Sequence, residues 1–123
     1  MNHRKRTYLA QYLDLIDEQT NEQLGFIGDI SDNGLMFITE KSISLNTIRD
    51  VRIENNVSSS EITQFSIKAQ IKTLWEKPNL NPKLLCVGCF IIEIANNELQ
   101  YLKKLMPMFS YDKNIEVHRT QHD

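Results

Sequence analysis

The chain has 123 residues, of which 41% are hydrophobic and 24% are charged. This composition is typical of a globular protein, and the length suffices for one domain with its own core, which excludes a wholly disordered chain. The net charge of −2 argues against a general DNA- or RNA-binding protein. No apolar run is long enough to cross a bilayer, and the N-terminus lacks the apolar stretch of a signal peptide. We therefore expect a cytoplasmic protein without membrane insertion.

The first six residues are basic, because Arg4, Lys5 and Arg6 are not balanced by any acidic residue. The rest of the chain holds 11 basic and 16 acidic residues, which is a net charge of −5. The simplest alternative is a tail whose charges only aid solubility. The chain is expected to divide into a flexible basic arm, one globular domain and a polar tail, with bounds at 1–6, 7–109 and 110–123.

Apolar and polar residues alternate along much of the chain with the period of two that is typical of β-strands. The predicted strands are Tyr8–Asp17, Leu24–Ser31, Leu35–Thr39, Ile48–Glu54, Phe65–Trp75 and Leu84–Ile94. The last of these is almost continuously apolar, so we expect it to be central and covered on both sides. Pro78 and Pro82 predict a loop before it, because proline cannot donate to a central ladder.

A short helix is predicted after the last strand. Asn96 or Asn97 is a suitable N-cap residue, and Pro107 should end or kink the helix. Its apolar face consists of Leu99, Leu102, Leu105 and Met106. Six strands and one helix predict a mostly β protein: a six-stranded antiparallel (Greek-key, split) β-barrel with a short C-terminal α-helix that could plug one open end.

The end of the second predicted strand carries the most informative polar residues. With Phe26 toward the core, alternation places Asp29 and Ser31 together on the outer face. Asn33 and Gly34 follow, and both tolerate positive φ, which predicts a tight turn. A carboxylate and a hydroxyl held at a turn, with a cationic arm elsewhere, suggest a site for an anionic ligand such as a nucleotide. The alternative is that both side chains only cap the turn.

The sequence shows few groups suited to catalysis. Cys86 and Cys89 are three residues apart in a predicted strand, so their thiols should face opposite sides and not form a disulfide. A metal site would need two further ligands, so we expect no metal or cofactor. No nucleophile motif or phosphate-binding glycine loop is present. We therefore expect a binding protein rather than an enzyme; the alternative is a small enzyme that uses Asp29 or the two cysteines.

Two short motifs resemble those of the PilZ domain family. Asp29, Ser31 and Gly34 match its Asp-x-Ser-x-x-Gly motif in full. Arg6, just before the first predicted strand, matches the second arginine of its Arg-x-x-x-Arg motif. Asn2 stands where the first arginine of that motif is expected.

The resemblance covers residues 2 to about 106 and implies a function. PilZ domains bind cyclic di-GMP, a bacterial second messenger, and relay its level to motility, adhesion or polysaccharide machinery. By this resemblance the ligand-binding residues are Arg4, Lys5, Arg6, Asp29, Ser31 and Gly34. It also implies that the arm orders over the nucleotide and that a downstream protein receives the signal. Because of Asn2, the alternative is a degenerate PilZ domain that binds a protein partner but not the nucleotide.

Overall fold

The computed structural model describes residues 12–55 and 64–109. Within these ranges the chain forms six strands and one helix. Their bounds are β1 Leu13–Asp17, β2 Gln23–Ile30, β3 Gly34–Thr39, β4 Ile48–Asn55, β5 Ser66–Pro78, β6 Leu85–Ile94 and α1 Asn96–Phe109. The basic arm, residues 8–11 of the first predicted strand and the polar tail lie outside the described residues.

The six strands close into an antiparallel barrel in the order β1-β2-β3-β6-β5-β4. Pairing of β3 with β6 and of β1 with β4 completes the barrel. The predicted fold class is therefore confirmed: a closed six-stranded antiparallel barrel followed by one short helix. The predicted loop before the last strand is confirmed, because β5 ends at Pro78 and β6 begins at Leu85. A proline at the last position of a strand removes no central ladder hydrogen bond.

The barrel interior is filled by alternate residues of the strands. Leu13 and Leu15 of β1 and Ile53 of β4 are at most 1% exposed, and Phe37 of β3 is fully buried. Burying an aliphatic or aromatic side chain of this size stabilises the fold by roughly 1.5–3 kcal/mol. The hydrophobic effect on this inner face therefore determines which side of each strand is enclosed.

The helix completes the core at one end of the barrel. Its buried side chains are those of the predicted apolar face, Leu99, Leu102, Leu105 and Met106. Pro107 lies inside α1, which ends at Phe109, within one turn of the proline. The proline removes one backbone donor near the helix end, where few intrahelical bonds remain to be lost.

The two ends of the barrel differ. At one end β2 is followed by β3, and Asp32 of this connection accepts a hydrogen bond from Lys103 of α1. Phe65, just before β5, lies edge-to-face with Tyr101 of α1 at the same end, with 5.5 Å between ring centroids. We call this the helix end. At the opposite end, which we call the open end, residues 40–47 cross from β3 to β4.

A β-bulge in β2 reverses the predicted orientation of its first half. The register with β3 shifts between Ile27 and Asp29, so Gly28 has no cross-strand partner of its own. Ile27 is 1% exposed and belongs to the core. The prediction that Phe26 faces the core was wrong, because this ring stacks outside the barrel on Tyr12 at 4.5 Å. The extra residue resets the period of two, so Asp29 is nevertheless exposed, as predicted.

Candidate functional site

The Asp-x-Ser-x-x-Gly residues lie together at the connection between β2 and β3. Asp29 and Ser31 are both exposed. The backbone N–H of Ser31 donates to the carbonyl of Gly34 at 2.8 Å, and the Ser31 hydroxyl donates to the same oxygen at 3.3 Å. The carbonyl of Asn33 accepts from the N–H of Ile91 at 2.9 Å, which anchors the turn to β6. The polar pair is thus carried by a turn that is fixed on two sides.

The turn does not use the positive φ values predicted for Asn33 and Gly34. Among the described residues only Asn21 and Asn46 have positive φ. The connection between β2 and β3 consists of residues 31–33, and neither these residues nor Gly34 has positive φ. The positive-φ prediction was therefore wrong.

Gly34 instead allows the turn to pack closely against β6. A Cβ atom at this position would lie 3.2 Å from the carbonyl oxygen of Cys89 and 3.7 Å from Oγ of Ser31. The first distance is tighter than most Cβ contacts, so a side chain here would require the neighbouring backbone to shift by a few tenths of an ångström. Glycine at position 34 therefore lets the turn approach β6 and leaves room beside the Ser31 hydroxyl.

The two aspartates at this turn differ in whether they form an ion pair. Asp32 forms an ion pair with Nζ of Lys103. Asp29, by contrast, makes no ion pair within residues 12–55 and 64–109. Its exposed carboxylate is therefore available to accept hydrogen bonds from a ligand or from a cation outside these ranges.

The register of β1 determines where the chain enters the barrel. Asp14 lies opposite Phe26, and Leu15 lies opposite Gly25, with the two strands antiparallel. The start of β1 therefore lies beside the end of β2, at the helix end of the barrel. The predicted ligand contacts Arg4, Lys5 and Arg6 lie outside the described residues, but β1 begins opposite Phe26, at the barrel end that carries the Asp29 turn.

Two exposed aromatic residues on the outer face of the barrel were not identified as site residues from the sequence. Phe90 of β6 lies opposite Gly34 and is 46% exposed. Trp75 of β5 is 41% exposed and lies over Gly88, with the Lys77 ammonium 4.7 Å from its ring centroid. The prediction that β6 is covered on both sides was wrong. Only the inner face of a barrel strand is enclosed by the other strands, and α1 does not cover the outer face of β6 at Phe90.

The two cysteines are free and face opposite sides of β6, as predicted. Cys89 points into the core, where burial raises the pKa of its thiol to about 12. Cys86 is half-buried, and its sulfur accepts a hydrogen bond from Nδ2 of Asn79 at 3.2 Å. Within the described ranges, no group of three or more His, Cys, Asp or Glu side chains is arranged to hold a metal ion.

Comparison of the chain with protein-family models, with curated proteins and with solved structures finds no match. The described part of the chain contains no helix that is long and apolar enough to span a membrane. The function must therefore be argued from the residues of the turn and the arm.

Proposed function

We propose that this protein is a PilZ-type receptor for cyclic di-GMP in the bacterial cytoplasm, which relays the level of the nucleotide to a protein partner. One observation carries the proposal. The turn with the exposed Asp29 and Ser31 lies at the barrel end where β1 begins, which is the end from which the basic arm would approach.

The length of chain between arm and barrel agrees with a shared site. Arg6 precedes Tyr12 by six residues. An extended segment of that length spans at most about 20 Å, at roughly 3.3–3.6 Å per residue. This reach would allow Arg6 to contact the turn, and an arginine at the turn would also supply the cation that Asp29 lacks among the described residues.

The chemistry of these residues matches the two parts of the nucleotide. Arg4 and Arg6 can each place two parallel donors on a phosphate or on guanine O6 and N7. Asp29 can accept hydrogen bonds from the N–H groups of a guanine edge, and the Ser31 hydroxyl can bond beside it. Lys5 adds charge without this bidentate geometry. Binding would order the arm, at a cost of roughly 1–2 kcal/mol per residue, which the arginine contacts would offset in part.

Calorimetric titration of the full chain with cyclic di-GMP tests the proposal. We expect saturable heat for the wild type and at least about tenfold weaker binding for Arg6→Ala and for Asp29→Asn, since one good bidentate contact contributes about 1–3 kcal/mol. Asp32→Asn is the matched control, because this neighbouring carboxylate already pairs with Lys103. Absence of heat at high micromolar nucleotide, or equal weakening by Asp29→Asn and Asp32→Asn, would reject the proposal.

The alternative is a degenerate PilZ domain that binds a protein partner without nucleotide. Asn2 at the first arginine position favours it, as does the Ser31 hydroxyl that already donates to the carbonyl of Gly34. Titration of Asn2→Arg separates the two functions. If the wild type binds no cyclic di-GMP and Asn2→Arg does, the site is intact but lacks one guanidinium, and the alternative is supported.

A further inference from the structure

A cleft lies at the open end of the barrel, away from the Asp29 turn. It has a volume of about 520 Å³. The ladder between β2 and β3 ends at the pair Phe26 and Ile38. Beyond this pair, residues 22–25 and 39–44 line the two sides of the cleft. This volume lies within the range of clefts that bind small molecules, which occur commonly at the mouths of barrels.

The wall formed by residues 40–47 is held in place by side chains of β5. The fully buried hydroxyl of Thr73 donates to the carbonyl of Ser44 at 2.8 Å and accepts from the N–H of Thr47 at 3.2 Å. The carboxylate of Glu76 accepts from the Ser42 hydroxyl at 2.9 Å and from the N–H of Ile43 at 3.3 Å. Because four hydrogen bonds fix this wall, the cleft exists before any ligand arrives and binding need not order it.

A guanidinium lies at the cleft with part of its bonding capacity unused. Arg49 points toward the barrel axis, and its side chain is 23% exposed. Its Nη1 donates to Asp17 at 2.9 Å, whereas its Nε is buried and has no hydrogen-bond partner in the described residues. Because Nε itself is buried, a ligand in the cleft reaches Arg49 only through the exposed 23% of its side chain, where the guanidinium charge can attract a planar carboxylate.

Asp17 holds the arginine in this orientation. Its other carboxylate oxygen accepts the N–H groups of Gln19 and Thr20 at 2.9 and 3.0 Å. Asp17 is thus occupied on both oxygens, and the remaining edge of Arg49 is left for another acceptor. The other charged residues of the cleft, Glu22, Glu40 and Lys41, are exposed at its rim, where solvent screens them.

The sides of the cleft also present apolar groups. Leu24 and Ile43 are half-buried and pack against the core, and Leu84 lies at the edge of the cleft. We propose that this cleft binds a small organic anion in which a carboxylate is attached to an apolar body, with the carboxylate on Arg49 and the apolar body on Leu24 and Ile43. This site is separate from the proposed nucleotide site, and neither depends on the other.

Titration with 3-phenylpropionate, followed by amide NMR of the full chain, tests this site. We expect shifts at Gly25, Ser44 and Arg49 with a Kd of about 1 mM, as is typical of a ligand of this size. The neutral analogue 3-phenylpropionamide should bind at least about fivefold more weakly, because it has no charge for Arg49. No shift at these amides up to about 10 mM, or equal binding of the amide, would overturn the proposal.

Two variants assign the effect to Arg49. Arg49→Lys keeps a cation for Asp17 but removes the guanidinium edge, so 3-phenylpropionate should bind at least about fivefold more weakly. Arg52→Lys is the matched control on the same strand, because Arg52 pairs outside the barrel with Glu18 and Glu54. Unchanged binding by Arg49→Lys contradicts the assignment. If Arg49→Lys does not fold, the comparison of acid and amide on the wild type decides.

Discussion

Lys103 of α1 and Asp32 of the β2–β3 turn form an ion pair that joins residues 71 positions apart in the chain. The pair links the turn that carries Asp29 and Ser31 to the helix that completes the core. Asp32 is 74% exposed and Lys103 is 33% exposed, so water screens the interaction. The link therefore positions the turn and contributes little to the stability of the fold.

Lys103→Met should lower the free energy of unfolding by less than about 1 kcal/mol, as is typical of an exposed ion pair. Urea denaturation measures the change. Lys104→Met is the matched control, because Lys104 is exposed and forms no ion pair within the described ranges. A loss of more than about 2 kcal/mol for Lys103→Met alone would mean that the pair holds the helix in place rather than only positioning the turn.

Gly88→Ala should displace the ring of Trp75. The added Cβ would lie 2.0 Å from Cε2 of this ring, which is far shorter than a van der Waals contact, so the ring must move. We expect a loss of about 1–3 kcal/mol in stability and a change in the emission of Trp75, which is the single tryptophan of the chain.

The control for this variant is Gly28→Ala. There the nearest atom is the terminal Cε of Met36 at 2.8 Å, which can move away. Gly28→Ala should leave the fluorescence of Trp75 unchanged, and it should lower stability less than Gly88→Ala does. Equal effects of the two substitutions would contradict the close contact between Trp75 and Gly88.

The ion pair of Asp17 should make stability depend on pH. Desolvation by burial opposes ionisation of this carboxylate. Hydrogen bonds from Thr20, Arg49 and Gln19 outweigh it, however, and lower the pKa of Asp17. A carboxylate with a lowered pKa contributes stability above its unfolded pKa of about 3.9, and this contribution is lost as the pH falls through the folded value.

Asp17→Asn should therefore lower stability at neutral pH by about 2 kcal/mol and make the loss of stability below about pH 4 less steep. Thermal denaturation between neutral and acidic pH measures both effects. Asp50→Asn serves as control, because Asp50 is exposed and, in the part of the chain that the structure describes, its carboxylate accepts only from Gln70. If the two variants show the same pH profile, Asp17 does not provide the acid-dependent stability.

The two thiols should differ in reactivity. Cys89 is buried in the core with a pKa raised to about 12, so almost no thiolate is present at neutral pH. A thiol-specific chromogenic reagent should label the native protein through Cys86 alone and both cysteines after unfolding. Cys86→Ser should abolish the labelling of native protein, and Cys89→Ser should leave it unchanged. Rapid labelling of Cys86→Ser in the native state would show that the core opens readily.

The strands and the helix could be predicted because their signals are local. The spacing of Leu99, Leu102 and Leu105 identifies a helix face, and period-two alternation identifies strands without knowledge of their partners. The bulge at Gly28 could not be predicted in this way, because it depends on how β2 pairs with a strand that follows it. As a result the predicted orientation of Phe26 was reversed.

The turn could be predicted in composition but not in conformation. Asp29, Ser31 and Gly34 were identified as candidates, and the structure brings them together. The backbone of Gly34, however, is determined by its approach to Cys89, which lies far along the chain. Phe90 was missed for a similar reason, because a continuous apolar strand does not reveal which face a barrel leaves exposed. The contacts expected of Arg4, Lys5 and Arg6 remain predictions.

The closure of the barrel has a consequence for how the chain folds. Hairpins can join β1 to β2, β2 to β3, β4 to β5 and β5 to β6 early, since these strands are neighbours in sequence. The two remaining seams, β1 with β4 and β3 with β6, pair residues that are separated by tens of positions. Forming them requires large loops to close before any contact is gained, so we expect folding to be slower than that of a helical bundle of equal length.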